Sequence, residues 1–249
     1  MNDGCLFFEP LSLVFVQNKF CSKRSVKTFF KNNLICVNQK KVSEPKTLIN
    51  IADDVISVNG KTLNFLQHRY VMMNKPRGAV CSTVSDSHKT VFDLLKGHFS
   101  DSEIKRLKCA GRLDCESTGL LIFSTNGSFV NKITSPENKI KKTYYVKLQE
   151  KVLPDLQTEY CRKAMTGIFI PPEKKSDGFF LKDAQIEWLT EDSCNVIISE
   201  GKFHEVRRLF LALDNYVIEL KRVQTGGIKL DENLCPGQFK ILSESEIIL

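Results

Sequence analysis

Three short stretches carry side chains able to do chemistry. In GRLDCESTGLLIFSTNG, residues 111–127, a charged Arg112-Leu113-Asp114 triplet follows Gly111 and precedes a polar turn and a strongly apolar strand. Asp114 therefore sits on a loop that feeds the sheet core. A carboxylate there is either a turn-former or a working group, and composition alone favours the turn-former. In KIKKTYYVKL, residues 139–148, strand alternation puts Lys142, Tyr144 and Val146 on one face. A Tyr beside a Lys suits a stacked base with its phosphate nearby, although Tyr is also an ordinary strand residue. In EGKFHEVRRLFLALDN, residues 200–215, Arg207 flanks a helical stripe of Val206, Leu209, Phe210 and Leu213. Its head either meets solvent or reaches another element, where it would hold a carboxylate ionised.

These stretches need a scaffold. RYVMMN, GLLIFST, TYYVKL, AQIEWLT and NVIISE read as strands. VFDLLKGHF, a stretch after Asn126-Gly127, and HEVRRLFLAL read as helices. PPEKKSDGFF, residues 171–180, reads as an exposed loop. No repeat of 20–50 residues shows. The irregular mixture predicts an α+β unit over residues 67–249, with a mixed, mostly antiparallel sheet flanked by helices.

Residues 1–66 differ in charge and pattern. They hold nine basic and five acidic residues, with no acid between Glu9 and Glu44. LSLVFVQ and SKRSVKTFFKNN read as two helices, the second with Ser22 as its N-cap. LICVNQKKV and DDVISVNGK read as short strands, the latter ending in an Asn59-Gly60 turn. Lys19, Lys23, Lys27 and Lys31 recur every four residues, which on a helix lines them along one side. Such a row is either a solvated face or a seat for a phosphate backbone. Residues 1–10 are an extension without a clear role, and a linker is expected at Phe65–Arg69.

Composition sets the bounds. The 249 residues carry 36 basic and 29 acidic side chains, a net charge of +7 that permits a polyanion partner without requiring one. Residues 67–249 are nearly balanced. The nine cysteines show no C-x-x-C spacing and the four histidines do not cluster near them, so reduced thiols are expected and no metal site. No apolar run approaches the ~18 residues of a membrane helix, and CLFFEPLSLVFV is broken by Glu9 and Pro10.

Taken in order, the stretches point further. RYVMMNKPRGAVCST, GRLD-x-x-x-T-G-LL, ITSP-x-N-x-x-x-KTYYV, EGKFHEVRRLF and GGIKLDENLCPGQFKIL resemble the RsuA family of small-subunit ribosomal RNA pseudouridine synthases. Residues 11–66 resemble the S4-type RNA-binding module, with Pro10-Leu11-Ser12 where that module opens on an Arg-Leu-Asp-like triplet. The family has Asp where Glu116 stands, Gln where Glu205 stands, and often Lys where Arg207 stands.

The resemblance implies isomerisation of a 16S uridine, the one numbered 516, to pseudouridine without a cofactor. It implies Asp114 as catalytic carboxylate, Tyr144 stacking on the flipped base, and Arg207 as the cation that keeps Asp114 ionised. It implies RNA contacts from Arg112, Lys75 and Lys142, and from Lys19, Lys23, Arg24, Lys27 and Lys31 of the first module. The expected partner is 16S ribosomal RNA or a partly assembled small subunit, the expected form a monomer, and the expected location the cytoplasm. A large-subunit enzyme is the rival in the same chemistry. A non-catalytic ribosome-assembly factor is the rival outside it, disfavoured because a carboxylate beside an RNA groove repels phosphate.

Overall fold

A computed structural model describes residues 8–51, 53–63, 68–173 and 176–249. Most of the expected linker at Phe65–Arg69, and residues 1–7 of the extension, lie outside these. The chain divides into two compact units, Met1–His68 and Arg69–Leu249.

In the first unit, helices α1 (Leu11–Gln17) and α2 (Val26–Asn32) bury Leu11, Val14, Phe15 and Phe30 against Ile35, Ile49 and Ile56. Four short strands pair in the order Lys40–Lys41, Ile35–Val37, Ile56–Val58, Lys61–Leu63. The last two are joined by Asn59 and Gly60, both at positive φ (51° and 79°), the geometry of a two-residue hairpin turn. The second helix is shorter than its sequence suggests. Ser22 does not cap it. Instead the Ser22 amide donates to Ser25 Oγ at 2.9 Å, and the chain turns through Lys23 and Arg24 before the helix starts at Val26. Serine side chains here satisfy the backbone locally and compete with the helix. The four-lysine row is therefore not one helical face: Lys27 and Lys31 share α2, Lys23 lies in the turn, and Lys19 sits apart at φ 62°.

The second unit is built on one nine-stranded sheet. Its main strands are β1 (Tyr70–Lys75), β2 (Thr118–Ser124), β3 (Lys142–Leu148), β4 (Gln185–Trp188), β5 (Ser193–Ile198), β6 (Val217–Thr225) and β7 (Phe239–Ile241). They lie in the order β4-β5-β3-β6-β2-β1-β7, with Lys108–Cys109 added to β2 and Ile228–Lys229 to β6. Every pairing is antiparallel except β6 with β2, where Lys221 faces Thr118 and Arg222 faces Gly119. A Cβ at residue 119 would lie 2.3 Å from the Arg222 carbonyl, so glycine is what lets these two strands meet.

One apolar core lies under β3, β5 and β6, closed by α5 (Pro154–Thr166) and α6 (Glu205–Leu211). A second lies under β1 and β2, around Val91, Leu95 and Leu107. Helices α3 (Asp101–Arg106) and α4 (Gly127–Thr134) complete the unit. The segment VFDLLKGHF forms only a 3₁₀ turn, Asp93–Leu95, because the Asp93 carboxylate accepts the Thr90 amide at 2.8 Å and Gly97 (φ 82°) ends the run. Helix α5 escapes the sequence reading because it buries only Tyr160 and Ala164, too sparse a stripe to stand out.

Candidate active site

The loop Gly111–Ser117 enters β2 beside the parallel junction with β6, and the fold pins it from below. Arg222, only 2% exposed, points inward from β6 alongside Leu220. Its Nε donates to the Leu120 carbonyl at 2.8 Å and its Nη1 to the Arg112 carbonyl at 3.3 Å. Lys75, at the end of β1, is fully buried. Its Nζ donates to the carbonyls of Ser117 (2.7 Å), Pro76 (3.1 Å) and Cys115 (3.2 Å). The Cys115 carbonyl also accepts the Gly78 amide at 2.9 Å, and the Leu113 amide donates to Cys81 Sγ at 3.4 Å. With its backbone held on so many sides, Asp114 is presented on a rigid ledge, its own side chain 38% exposed. Glu116, at the outer edge, pairs with Arg77.

Asp114 opens onto a cleft of about 420 Å³ that Arg112, Tyr144, Phe203 and His204 also line. Tyr144 projects inward from β3 and is 7% exposed. Thus the structure brings Asp114, Tyr144 and Arg112 to one cavity, from three stretches separated in sequence.

Three expected residues stand elsewhere. Arg207 does not meet Asp114: its Nη1 donates to the Val217 carbonyl at 3.1 Å, because that side of α6 faces the start of β6. The basic group that faces Asp114 is His204, whose Nε2 lies 3.7 Å from Oδ1. Lys75 and Lys142 are not surface phosphate contacts. Lys142 does share the face of Tyr144, but that face is the buried one, and its Nζ is bound by the carbonyls of Glu200 (3.1 Å), Ile140 (3.3 Å) and Ser199 (3.4 Å). Burial pushes both amines below the usual lysine range, and for Lys142 the nearby Arg222 cation adds to this. Each lysine fixes a loop rather than awaiting a ligand. Arg222 was missed. Its one signal was an arginine two residues after Leu220, which alternation puts on the same face of the strand.

Cys81 touches both apolar cores and lines the cleft. Hydrogen bonds from the Cys109 thiol and the Leu113 amide, with Lys75 and Arg222 near, pull its thiol down, and Cys109 is pushed up in exchange. Among the described residues the cysteines are free, Cys194 is buried and Cys235 exposed, and no metal-binding cluster forms. No helix among them is long and apolar enough to cross a membrane.

Glu205 begins α6 and is 3% exposed. Its Oε2 accepts the amides of Gly201 and Lys202, both at 2.6 Å, while Oε1 has no hydrogen-bond partner. Burial raises this carboxyl above the ordinary glutamate range, and the two amides oppose the shift. An acid whose native value is raised binds more protons folded than unfolded between the two values, so its contribution to stability is lost as pH rises through that window. Glu205→Gln keeps an acceptor for both amides. Its melting temperature is expected to gain on wild type between pH 5 and pH 8, which thermal melts at the two values would measure; a constant difference would contradict the assignment.

In the first unit, a separate cavity of about 800 Å³ is lined by Lys23, Lys27, Lys31 and Lys46 around Leu13, Val16, Val26 and Phe30. Lys19 and Arg24 are exposed but are not part of its lining.

Residues 69–212, which carry Asp114 on its pinned loop and the inward Tyr144, match the family model described as RNA pseudouridylate synthase. The chain belongs to this family and is an RNA pseudouridine synthase, an isomerase. Its curated relatives include "Ribosomal small subunit pseudouridine synthase A" of Salmonella typhimurium and of Escherichia coli, each 39% identical over 180 residues and 72% of both chains. The Haemophilus influenzae protein of that name is 35% identical over 196 residues, 78% of this chain and 79% of its own. A solved structure titled "Crystal structure of pseudouridylate synthase" aligns over 95% of this chain and 96% of its own, with a TM-score of 0.65 and 31% identity. Within the pseudouridine synthases, the sequence therefore stands in the RsuA family.

Proposed function

We propose that this chain converts one uridine of small-subunit ribosomal RNA to pseudouridine, the uridine numbered 516 of the 16S molecule, with Asp114 as its catalytic carboxylate. The names of its relatives support the substrate. The observation that carries the chemistry is Asp114, held on a pinned loop at the mouth of a cleft shared with Tyr144. The cleft lies within the roughly 300–1,000 Å³ of small-ligand sites, and it suits a single nucleotide flipped from its stack.

The reaction breaks the bond between uracil N1 and ribose C1′, turns the base, and joins C1′ to C5. Asp114 acts on the sugar as cleavage proceeds. Tyr144 stacks on the base and keeps it in the cleft while it turns. The proton at C5 then leaves. N1 takes up a proton in its place, so the RNA keeps its composition and no cofactor enters the balance. Arg112, exposed at the rim, meets the phosphate backbone or fills the gap the base leaves.

The unit before residue 69 resembles an S4 module, and we assign its lysines to affinity rather than chemistry. Replacing Lys23, Lys27 and Lys31 together with glutamine should weaken RNA binding and flatten its dependence on log salt by roughly 2–3, about one unit per lost phosphate contact. Filter binding from low to high salt would read this. An unchanged slope would remove the cavity from the RNA footprint.

Tritium release from C5-labelled uridine tests the whole reading. Release is expected from small-subunit RNA, naked or partly assembled into particles, and not from large-subunit RNA. Release from the large-subunit RNA alone would overturn the substrate. The same reading has the enzyme act in the cytoplasm as a monomer, and sedimentation at about the mass of two chains would refute the latter.

A further inference from the structure

His204 sits between two carboxylates that come from different parts of the chain. Its Nε2 lies 3.7 Å from Asp114 Oδ1, and its Nδ1 lies 3.1 Å from Glu173 Oε1 and 3.2 Å from Oε2. The ring is only about one-fifth exposed and is stacked on Phe203, with centroids 3.8 Å apart. Its backbone takes a left-handed conformation, φ 50°, just ahead of α6. A non-glycine residue in that region carries a conformational cost that only its surroundings hold in place.

The surroundings are well defined. Glu173 belongs to the loop between the paired strands Ile168–Ile170 and Phe179–Leu181. Arg208 of α6 fastens that loop by donating to the Pro171 carbonyl at 2.7 Å and the Asp177 carbonyl at 2.8 Å. The imidazole is thus gripped at one nitrogen by an anchored loop and faces the cleft carboxylate with the other.

We infer that His204 is a positioning residue for Asp114, and that Glu173 sets the orientation of its ring. This rests on the reading of Asp114 as the catalytic carboxylate. A carboxylate 38% exposed at a cleft mouth has several rotamers open to it. With a proton on both ring nitrogens, the imidazole donates to Glu173 through Nδ1 and faces Asp114 with an Nε2 donor. Fixed on one side, that donor selects among the rotamers, and the 3.7 Å gap can shorten to a hydrogen bond once RNA fills the cleft. The arrangement parallels the general device in which a third group orients an imidazole that in turn serves the reacting side chain. It also occupies the place beside Asp114 that the resemblance gave to Arg207.

The test has two arms. Asparagine tolerates positive φ, so His204→Asn removes the ring and leaves the backbone undisturbed. Its single-turnover rate on small-subunit RNA should fall about tenfold or more, the loss of one charge-assisted hydrogen bond, with RNA affinity within about twofold of wild type. Glu173→Gln should lose less. The double variant should be no slower than His204→Asn alone, because both act through one ring. A wild-type rate in His204→Asn, a loss confined to affinity, or multiplying losses in the double variant would each overturn the inference. If His204→Asn fails to fold, His204→Gln takes its place.

The second arm needs no turnover. With ¹⁵N-labelled histidine, the His204 Nε2 resonance should move in Asp114→Asn and the Nδ1 resonance in Glu173→Gln. Resonances indifferent to both substitutions would also overturn the inference. If wild type releases no tritium from any ribosomal RNA, the proposed reaction falls, while the resonances still decide whether the ring bridges the two acids.

Discussion

Asp114→Asn is expected to leave no measurable pseudouridine, a loss of roughly a thousandfold or more, within the 10²–10⁴-fold range that one positioned catalytic group supplies. Asparagine has the shape of aspartate and keeps an acceptor oxygen, but it has neither the charge nor the nucleophilicity. The loop that carries residue 114 is held through backbone groups of residues 112, 113, 115 and 117, not through the Asp114 side chain. Folding should therefore be intact and RNA affinity should stay within about twofold, since phosphate contacts dominate binding. Tritium release and filter binding, run on the same preparation, separate the two. Full turnover in the variant would remove Asp114 from the mechanism altogether.

Lys75→Met should cost both stability and rate. The side chains are similar in length, but methionine offers no donor, so the Ser117 carbonyl would be left buried, and the Pro76 carbonyl half-buried, without the lysine that satisfies them. Unsatisfied buried acceptors cost about 1–3 kcal/mol each, so a loss of about 3 kcal/mol is expected, a fall in Tm of roughly 8 °C for a unit of this size. With its floor loosened, the Asp114 loop should shift, and a displacement near 1 Å costs on the order of a hundredfold in rate. The salt dependence of RNA binding should not change. A surface phosphate contact would behave oppositely, flattening the salt slope by about one unit and leaving Tm alone. Calorimetry with salt titration thus decides between a buried post and an RNA contact.

That contrast shows what sequence patterns convey. The alternation in KTYYVKL correctly put Lys142 and Tyr144 on one face. It did not say that the face was inward, and for a lysine the difference reverses the role. A charged head on the solvent side seeks phosphate, whereas the same head inside must be satisfied by carbonyls. The row Lys19, Lys23, Lys27, Lys31 met a similar limit. Spacing by four implies one face only while the helix continues, and the Ser22–Ser25 turn stops it short. Arg207 and Arg222 mark the opposite error. The resemblance implied that the first would reach Asp114, while the second was hidden in a plain strand and brought beneath the loop by the parallel pairing of β6 with β2.

The sequence by itself determined strands β1 to β5 but not β6 or β7, most helices, the α+β class, and the stretches that carry Asp114, Tyr144 and Arg112. These follow from local periodicity and from motifs, which need no partner to be read. Only the tertiary structure decided which cations are buried posts and which stay exposed, and that His204 stands beside Asp114 with Glu173 at its other nitrogen. Those outcomes depend on which face of each element is buried and on which distant strands pair. Residues 114, 173 and 204 lie far apart along the chain, and only the sheet order and the loop anchored by Arg208 bring them within a few ångströms.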